Sequence, residues 1–274
     1  RQWYQVNKET GSIYEMGVLG SLENGILEPG VYHENADTYY QYCTAFPVGT
    51  ALAQTWDTEL MTKFGKAIAE EMEEFHVNLW LAPGMNIHRN PLCGRNYEYY
   101  SEDPYLTGML AAAVTRGVQS KPGCGVTIKH FACNNQEDNR MGVDSRVSER
   151  ALREIYLRGF EIAVKEGSPV SIMASYNLVN GVHAANSKDL CVTVARKEWG
   201  FDGAIMSDWN TTVPEDGSTP WKCAAAGNDI IMPGNPDDDT NILQAYKEGK
   251  LTEEEIRSCA EHLITMISRL NQKR

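Results

Sequence analysis

The sequence predicts an α/β protein built around a parallel sheet. Apolar runs recur along the chain, at "VGTALAQ" (48–54), "VNLWLAP" (77–83), "VTIKHFA" (126–132), "VSIMASY" (170–176), "GAIMSDW" (203–209) and "NDIIMPG" (228–234). Near-continuous apolar runs suit parallel strands covered on both faces. Between most of them lie segments whose apolar residues repeat at helical spacing, and that alternation marks a parallel sheet with crossover helices. The six runs fall short of the eight strands of a closed barrel.

Residues 1–45 show little periodicity and read as an irregular arm or loop leading into a domain over 46–274. Leu60, Phe64, Ile68, Met72 and Phe75 follow the N-cap candidate Asp57 at intervals of three to four. Leu152, Ile155, Tyr156 and Phe160 repeat that pattern after Ser148. Thr219-Pro220 reads as N-cap followed by N1. Thr252 with Glu255 reads as a capping box before Ile256, Leu263, Ile267 and Leu270. Segments 83–103 and 133–147 exceed ordinary connection length, and both follow strand ends, where long loops are commonly functional.

At 274 residues the chain is long enough for a well-buried core. A net charge of −12 argues against nucleic acid or an anionic membrane as partner, because phosphate binding needs a basic patch. No stretch approaches the ~20 apolar residues of a membrane span. Seven cysteines without a CxxC pair fit neither a disulfide framework nor a zinc site. Cys43, Cys133, Cys191, Cys223 and Cys259 sit among apolar or small neighbours, so buried thiols and a cytoplasmic location are expected. No signal peptide is evident, and the chain opens at "RQWYQV" without an initiator Met.

Polar residues gather at the ends of the apolar runs: Lys129 and His130, then Tyr176 and Asn177, then Asp208 and Trp209, while the loop after "LWLAP" carries His88, Arg89, Arg95 and Glu98. Each has an ordinary explanation by itself. Asp208 is a favoured residue type for capping a following helix, and Arg95 with Glu98 or Glu102 makes a plain ion pair. Their shared position at strand ends is what points to a site, since in parallel barrels such residues converge on one rim. No phosphate-binding or dinucleotide motif, HExxH or GxSxG occurs, so no cofactor or metal is expected. The acidic stretch from Asp237 to Glu248 has calcium-loop spacing but places Ile242 where glycine is required. A cluster of carboxylates, amides, cations and aromatics without a cofactor signature suits a sugar site. Glycosidic cleavage then needs one carboxylate as nucleophile and an acid for the leaving oxygen.

"GRNYEYYSEDPYLTG" (94–108), "IKHFACNNQEDNR" (128–140), "SIMASYNLVNG" (171–181), "WGFDGAIMSDW" (199–209) and "AAGNDIIMPG" (225–234), in this order, closely resemble the barrel domain of family 3 glycoside hydrolases of β-glucosidase type. The resemblance runs from about Tyr39 to Met266. It implies a TIM-type (β/α) barrel and retaining hydrolysis of a β-linked glucoside or oligosaccharide. Asp208 would be the nucleophile, with Arg95, Lys129, His130 and Tyr176 lining the pocket and Trp209 as a wall. Two departures shape the expectation. The Asp-Gly-Pro motif that such proteins carry on the first barrel strand does not occur here. Nor does an α/β sandwich domain follow to supply the general acid. The barrel is therefore expected to be incomplete, lacking its first strand, with the acid coming from a domain or partner chain outside this sequence.

Overall fold

The computed structural model describes residues 2–15 and 33–271. It divides into two compact units, Arg1–Phe46 and Pro47–Arg274.

The first unit is not an irregular arm. It contains a three-stranded antiparallel sheet of β1 (Gln2–Asn7), β2 (Ile13–Glu15) and β3 (Ala36–Gln41), ordered β2-β1-β3. β1 pairs along its whole length with β3, from Gln2 opposite Gln41 to Asn7 opposite Ala36. Aromatic and β-branched residues favour both strands, but the partner lies about thirty residues away, so no local pattern announces the pairing. Residues 16–32 of the expected arm lie outside the described residues.

The second unit bears out the α/β class. It opens with α1 (Gly49–Ala53) and α2 (Thr58–Glu74), followed by strand β4 (Leu79–Trp80), helix α3 (Pro104–Gln119) and β5 (Gly125–Phe131). β6 (Asp144–Ser145) then leads into one long helical stretch made of α4 (Glu149–Ala151), a π-helical turn Leu152–Tyr156, and α5 (Arg158–Gly167). Next come β7 (Ser171–Ala174), the hairpin β8 (Leu178–Val179) and β9 (Val182–His183), a π-helical segment Asp189–Glu198, and β10 (Ala204–Met206). Helices α6 (Pro220–Ala225), α7 (Pro236–Lys247) and α8 (Glu253–Asn271) complete it.

The central sheet is parallel, in the order β10-β7-β5-β4. Its rows are in register: Ile128 faces Ile172, which faces Ile205, and Lys129 faces Met173, which faces Met206. "NDIIMPG" forms no strand of its own but runs beside β10 with an isolated bridge between Ile230 and Met206, and Gly84 bridges Lys129 beyond the end of β4. "VGTALAQ" forms no strand; it is the short helix α1. A short apolar run does not distinguish a strand from a buried helical turn, and Ala and Leu favour the helix.

Local chemistry sets the helix starts. Asp57 accepts from Glu59 N–H and Leu60 N–H, and Ser148 from Ala151 N–H. The capping box at Thr252 and Glu255 forms in both directions. Asn235 and Asp238 make a second box, so the acids from Asp237 open a helix where calcium-loop spacing was visible. The buried face of α2 is turned one residue from the expected one, onto Met61, Gly65, Ile68, Ala69 and Met72. The reason is a close crossing with α3. A Cβ on Gly65 would lie 2.4 Å from Val114 O, and one on Gly117 2.3 Å from Thr62 O. The two glycines let the helix backbones touch, which seats α3 flat against the sheet.

Candidate active site

β5, β7 and β10 end side by side, so the residues that follow each strand share one rim. Lys129 and His130 close β5, Tyr176 lies two residues beyond β7, and Asp208 two beyond β10. The segment around Asp208 is tied down from the neighbouring chain. Ser207 N–H donates to Ile230 O (2.8 Å), Met232 N–H to Ser207 Oγ (2.9 Å), and Asn210 N–H to Met232 O (2.8 Å). Asp208 caps no helix, since none begins before Pro220. Its Oδ1 accepts from Trp209 N–H at 2.7 Å. Its Oδ2 is buried and has no hydrogen-bond partner among the described residues. His130 Nε2 approaches that oxygen to 3.7 Å.

Cations surround this carboxylate. Arg95, Lys129 and Arg140 all favour its charged form, yet burial opposes it more strongly, and the Asp208 carboxyl is raised above its ordinary range. Burial also lowers the Lys129 amine, against the pull of Glu98. It holds His130 well below the usual histidine range, reinforced by Arg95, Lys129 and Arg140.

Two other carboxylates of these loops, Glu98 and Glu137, are engaged. Glu98 bonds Arg95 Nε through Oε1, and its Oε2 lies 3.7 Å from Lys129 Nζ. Glu137 accepts from Arg140 Nη1 at 2.8 Å and from Asn134 Nδ2 at 3.1 Å. Glu102 lines a groove with Arg89, Arg146 and Tyr156. The Tyr176 hydroxyl donates to Trp209 O at 2.7 Å, coupling the end of β7 to the Asp208 turn, and burial with the Asp208 charge keeps that phenol protonated.

The structure thus brings Arg95, Lys129, His130, Tyr176, Asp208 and Trp209 into one connected cluster. Sequence reasoning missed Arg140, whose guanidinium carbon stands 4.7 Å over the Tyr176 ring. It also missed Tyr99, whose hydroxyl reaches His130 Nδ1, and Asn134, which donates to that hydroxyl. Arg140 closes the same "IKHFACNNQEDNR" stretch and was the one signal available. His88 takes a separate partner, Asn96 O at 3.0 Å. Among the described residues no group of three or more His, Cys, Asp or Glu is placed to hold a metal ion. Six cysteines are buried and none is in a disulfide; Cys43, expected to be buried, is exposed.

The sequence matches "Glycosyl hydrolase family 3 N terminal domain" over residues 35–266. β-Glucosidase A of Butyrivibrio fibrisolvens is 52% identical over 189 residues, 69% of this chain and 22% of the relative. An exo-α-(1→6)-L-arabinopyranosidase of Bifidobacterium longum is 46% identical over 226 residues, 82% of this chain and 29% of the relative. β-Glucosidase 3B of Thermotoga neapolitana, solved with glucose, superposes with a TM-score of 0.80 at 50% identity, over 87% of this chain and 33% of that one. The chain thus spans between about a fifth and a third of the proteins it matches. A TIM-barrel-type α/β fold is what these neighbours share with it, and the parallel sheet described above is part of that barrel. The chain belongs to glycosyl hydrolase family 3, as its N-terminal domain.

Proposed function

We propose that this domain carries the sugar pocket and nucleophile of a retaining β-glycosidase of β-glucosidase type. One observation supports the reading above all others: a buried carboxylate at a strand end, with one oxygen pinned and the other without a partner. Asp208 Oδ2 attacks the anomeric carbon, the glycosidic C–O bond breaks, and a glycosyl ester on Asp208 forms; water then hydrolyses it. Arg95, Lys129, His130 and Arg140 donate to the sugar hydroxyls, with Tyr176 and Trp209 as walls. The acid that protonates the leaving oxygen comes from outside this chain, because Glu98 and Glu137 are bound as counter-ions to the donor side chains.

The substrate is a terminal β-glucoside. The arabinopyranosidase relatives act on a pentopyranose, and a hydroxymethyl in a pocket is worth only ~1–3 kcal/mol. Aryl β-glucoside and β-xyloside turnover by the intact protein decides between them; a clear preference for the xyloside, or for an N-acetylglucosaminide, overturns the assignment. No helix among the described residues is long and apolar enough to cross a membrane. The unpaired thiols support a cytoplasmic location. The nucleophile is tested with a fluorinated glycoside bearing an activated leaving group, followed by peptide mapping. The adduct is expected on the peptide holding Asp208, and one on Glu98 or Glu137 refutes the mechanism.

A further inference from the structure

His130 is buried, neutral and directed by Nε2 toward Asp208, so the position of its one ring proton decides what it offers a ligand. That position follows from a chain of bonds behind it. Arg140 holds Glu137 as a carboxylate, 2.8 Å away. A carboxylate only accepts, so the Asn134 group facing Glu137 Oε1 at 3.1 Å is its NH2. The same Nδ2 lies 3.1 Å from the Tyr99 hydroxyl. An amide nitrogen only donates, so Tyr99 must send its own proton elsewhere. The acceptor within reach is His130 Nδ1, at 3.0 Å.

We propose that Tyr99 is a positioning residue that fixes His130 in the tautomer with a bare Nδ1 and a protonated Nε2, making it a donor into the pocket. The competing tautomer has a defined geometry too. A proton on Nδ1 points at Asn86 Oδ1, 3.3 Å away, which already accepts from His130 N–H at 2.8 Å. Choosing it strands the proton of a Tyr99 hydroxyl on a side chain that is 0% exposed, and burial keeps that phenol protonated. An unsatisfied buried donor is costly, so the Tyr99 chain prevails. The alternative would also aim the Nε2 lone pair at the Asp208 carboxylate, where two acceptors repel. The tautomer follows from the hydrogen-bond chain around a buried, neutral imidazole; its consequence for turnover rests on the glycosidase reading.

Selective 15N-histidine labelling of the full protein tests it, with the His130 signals identified by their loss in His130→Gln. The expected spectrum has an unprotonated Nδ1 and a protonated Nε2; the reverse overturns the proposal, whatever any variant does. In Tyr99→Phe, which keeps the ring and removes only the hydroxyl, Nδ1 is expected to gain the proton and bond Asn86. If the glycosidase reading holds, kcat/KM for an aryl glucoside falls about tenfold to a hundredfold with it, as for a lost donor beside a buried acceptor. An unchanged tautomer in Tyr99→Phe, or a switched tautomer with unchanged kcat/KM, refutes the positioning role. A wild-type protein with the expected tautomer but no glycosidase activity refutes the function and leaves the tautomer standing.

Discussion

Lowering the pH should destabilise this fold through His130, by an amount that one comparison isolates. The folded site holds this imidazole neutral, well below the ordinary value of 6.5, through burial first and then Arg95, Lys129 and Arg140. In the unfolded chain it titrates normally. A group depressed by folding contributes stability that is complete above 6.5 and is lost as pH falls toward the folded value. Between pH 7.5 and 5.5 the unfolded state gains most of a proton that the folded state resists, costing on the order of 1 kcal/mol. Denaturant melts of wild type and His130→Gln at both pH values read this as a difference of differences. The absolute cost of the substitution and the titration of distant carboxylates cancel. Wild type should lose on the order of 1 kcal/mol more than the variant over this interval. Equal losses, or a smaller loss in wild type, would mean that folded His130 takes the proton and forms an ion pair with Asp208, 3.7 Å away. That outcome would refute the neutral imidazole on which the site electrostatics rest.

Asp208→Asn should lower turnover by several orders of magnitude while raising unfolding stability by about 0.5–2 kcal/mol, because it removes a buried charge whose Oδ2 has no partner; a lowered melting point would contradict this. Glu98→Gln leaves Arg95 and Lys129 less firmly held, and kcat/KM should drop about 10- to 100-fold with little change in melting temperature. Wild-type kinetics in this variant would show the anchoring to be dispensable. Gly117→Ala forces α2 and α3 apart and should cost about 1–3 kcal/mol, measured by chemical denaturation; a neutral result would mean the crossing yields without strain.

The sequence exposed what local pattern encodes. Apolar runs ending in polar residues located β5, β7 and β10, and with them Lys129, His130, Tyr176 and Asp208. Cap chemistry placed the starts of α2 and α8, because capping is decided within one helical turn. The parts that failed depend on distant partners. β3 is a strand because it meets β1 across the chain. The β8–β9 hairpin turns on Asn180-Gly181, both at positive φ, a short-range signal that sits inside one quoted motif and went unused. The face of α2 followed not its largest apolar residues but the glycine that contacts α3. Tyr99 and Asn134 carry no mark of their role, since it exists only in the bonds they make to His130 and Glu137.

The same distinction explains why one carboxylate among several is left for chemistry. Arg95, Lys129 and Arg140 gather near Glu98, Glu137 and Asp208 in a space that burial has largely dried. Glu98 bonds Arg95 through Oε1 and faces the Lys129 cation with Oε2 at 3.7 Å. Glu137 accepts from Arg140 and Asn134 through its two oxygens, whereas Asp208 Oδ2 at 3.7 Å faces a neutral imidazole. Either glutamate would have to give up a bond or an ion pair before it attacked anything, and doing so would release Arg95 and Lys129 or Arg140, the side chains proposed to bind the sugar. Asp208 has only its Oδ1 committed, to the next residue's own N–H. That bond fixes the carboxylate's rotation without occupying the oxygen that faces His130. Acidity does not make the selection, because burial moves Asp208 toward protonation. On the proposed reading pairing makes it: Glu98 and Glu137 hold cations, whereas Asp208 Oδ2 has no hydrogen-bond partner among the described residues and would be the oxygen that attacks.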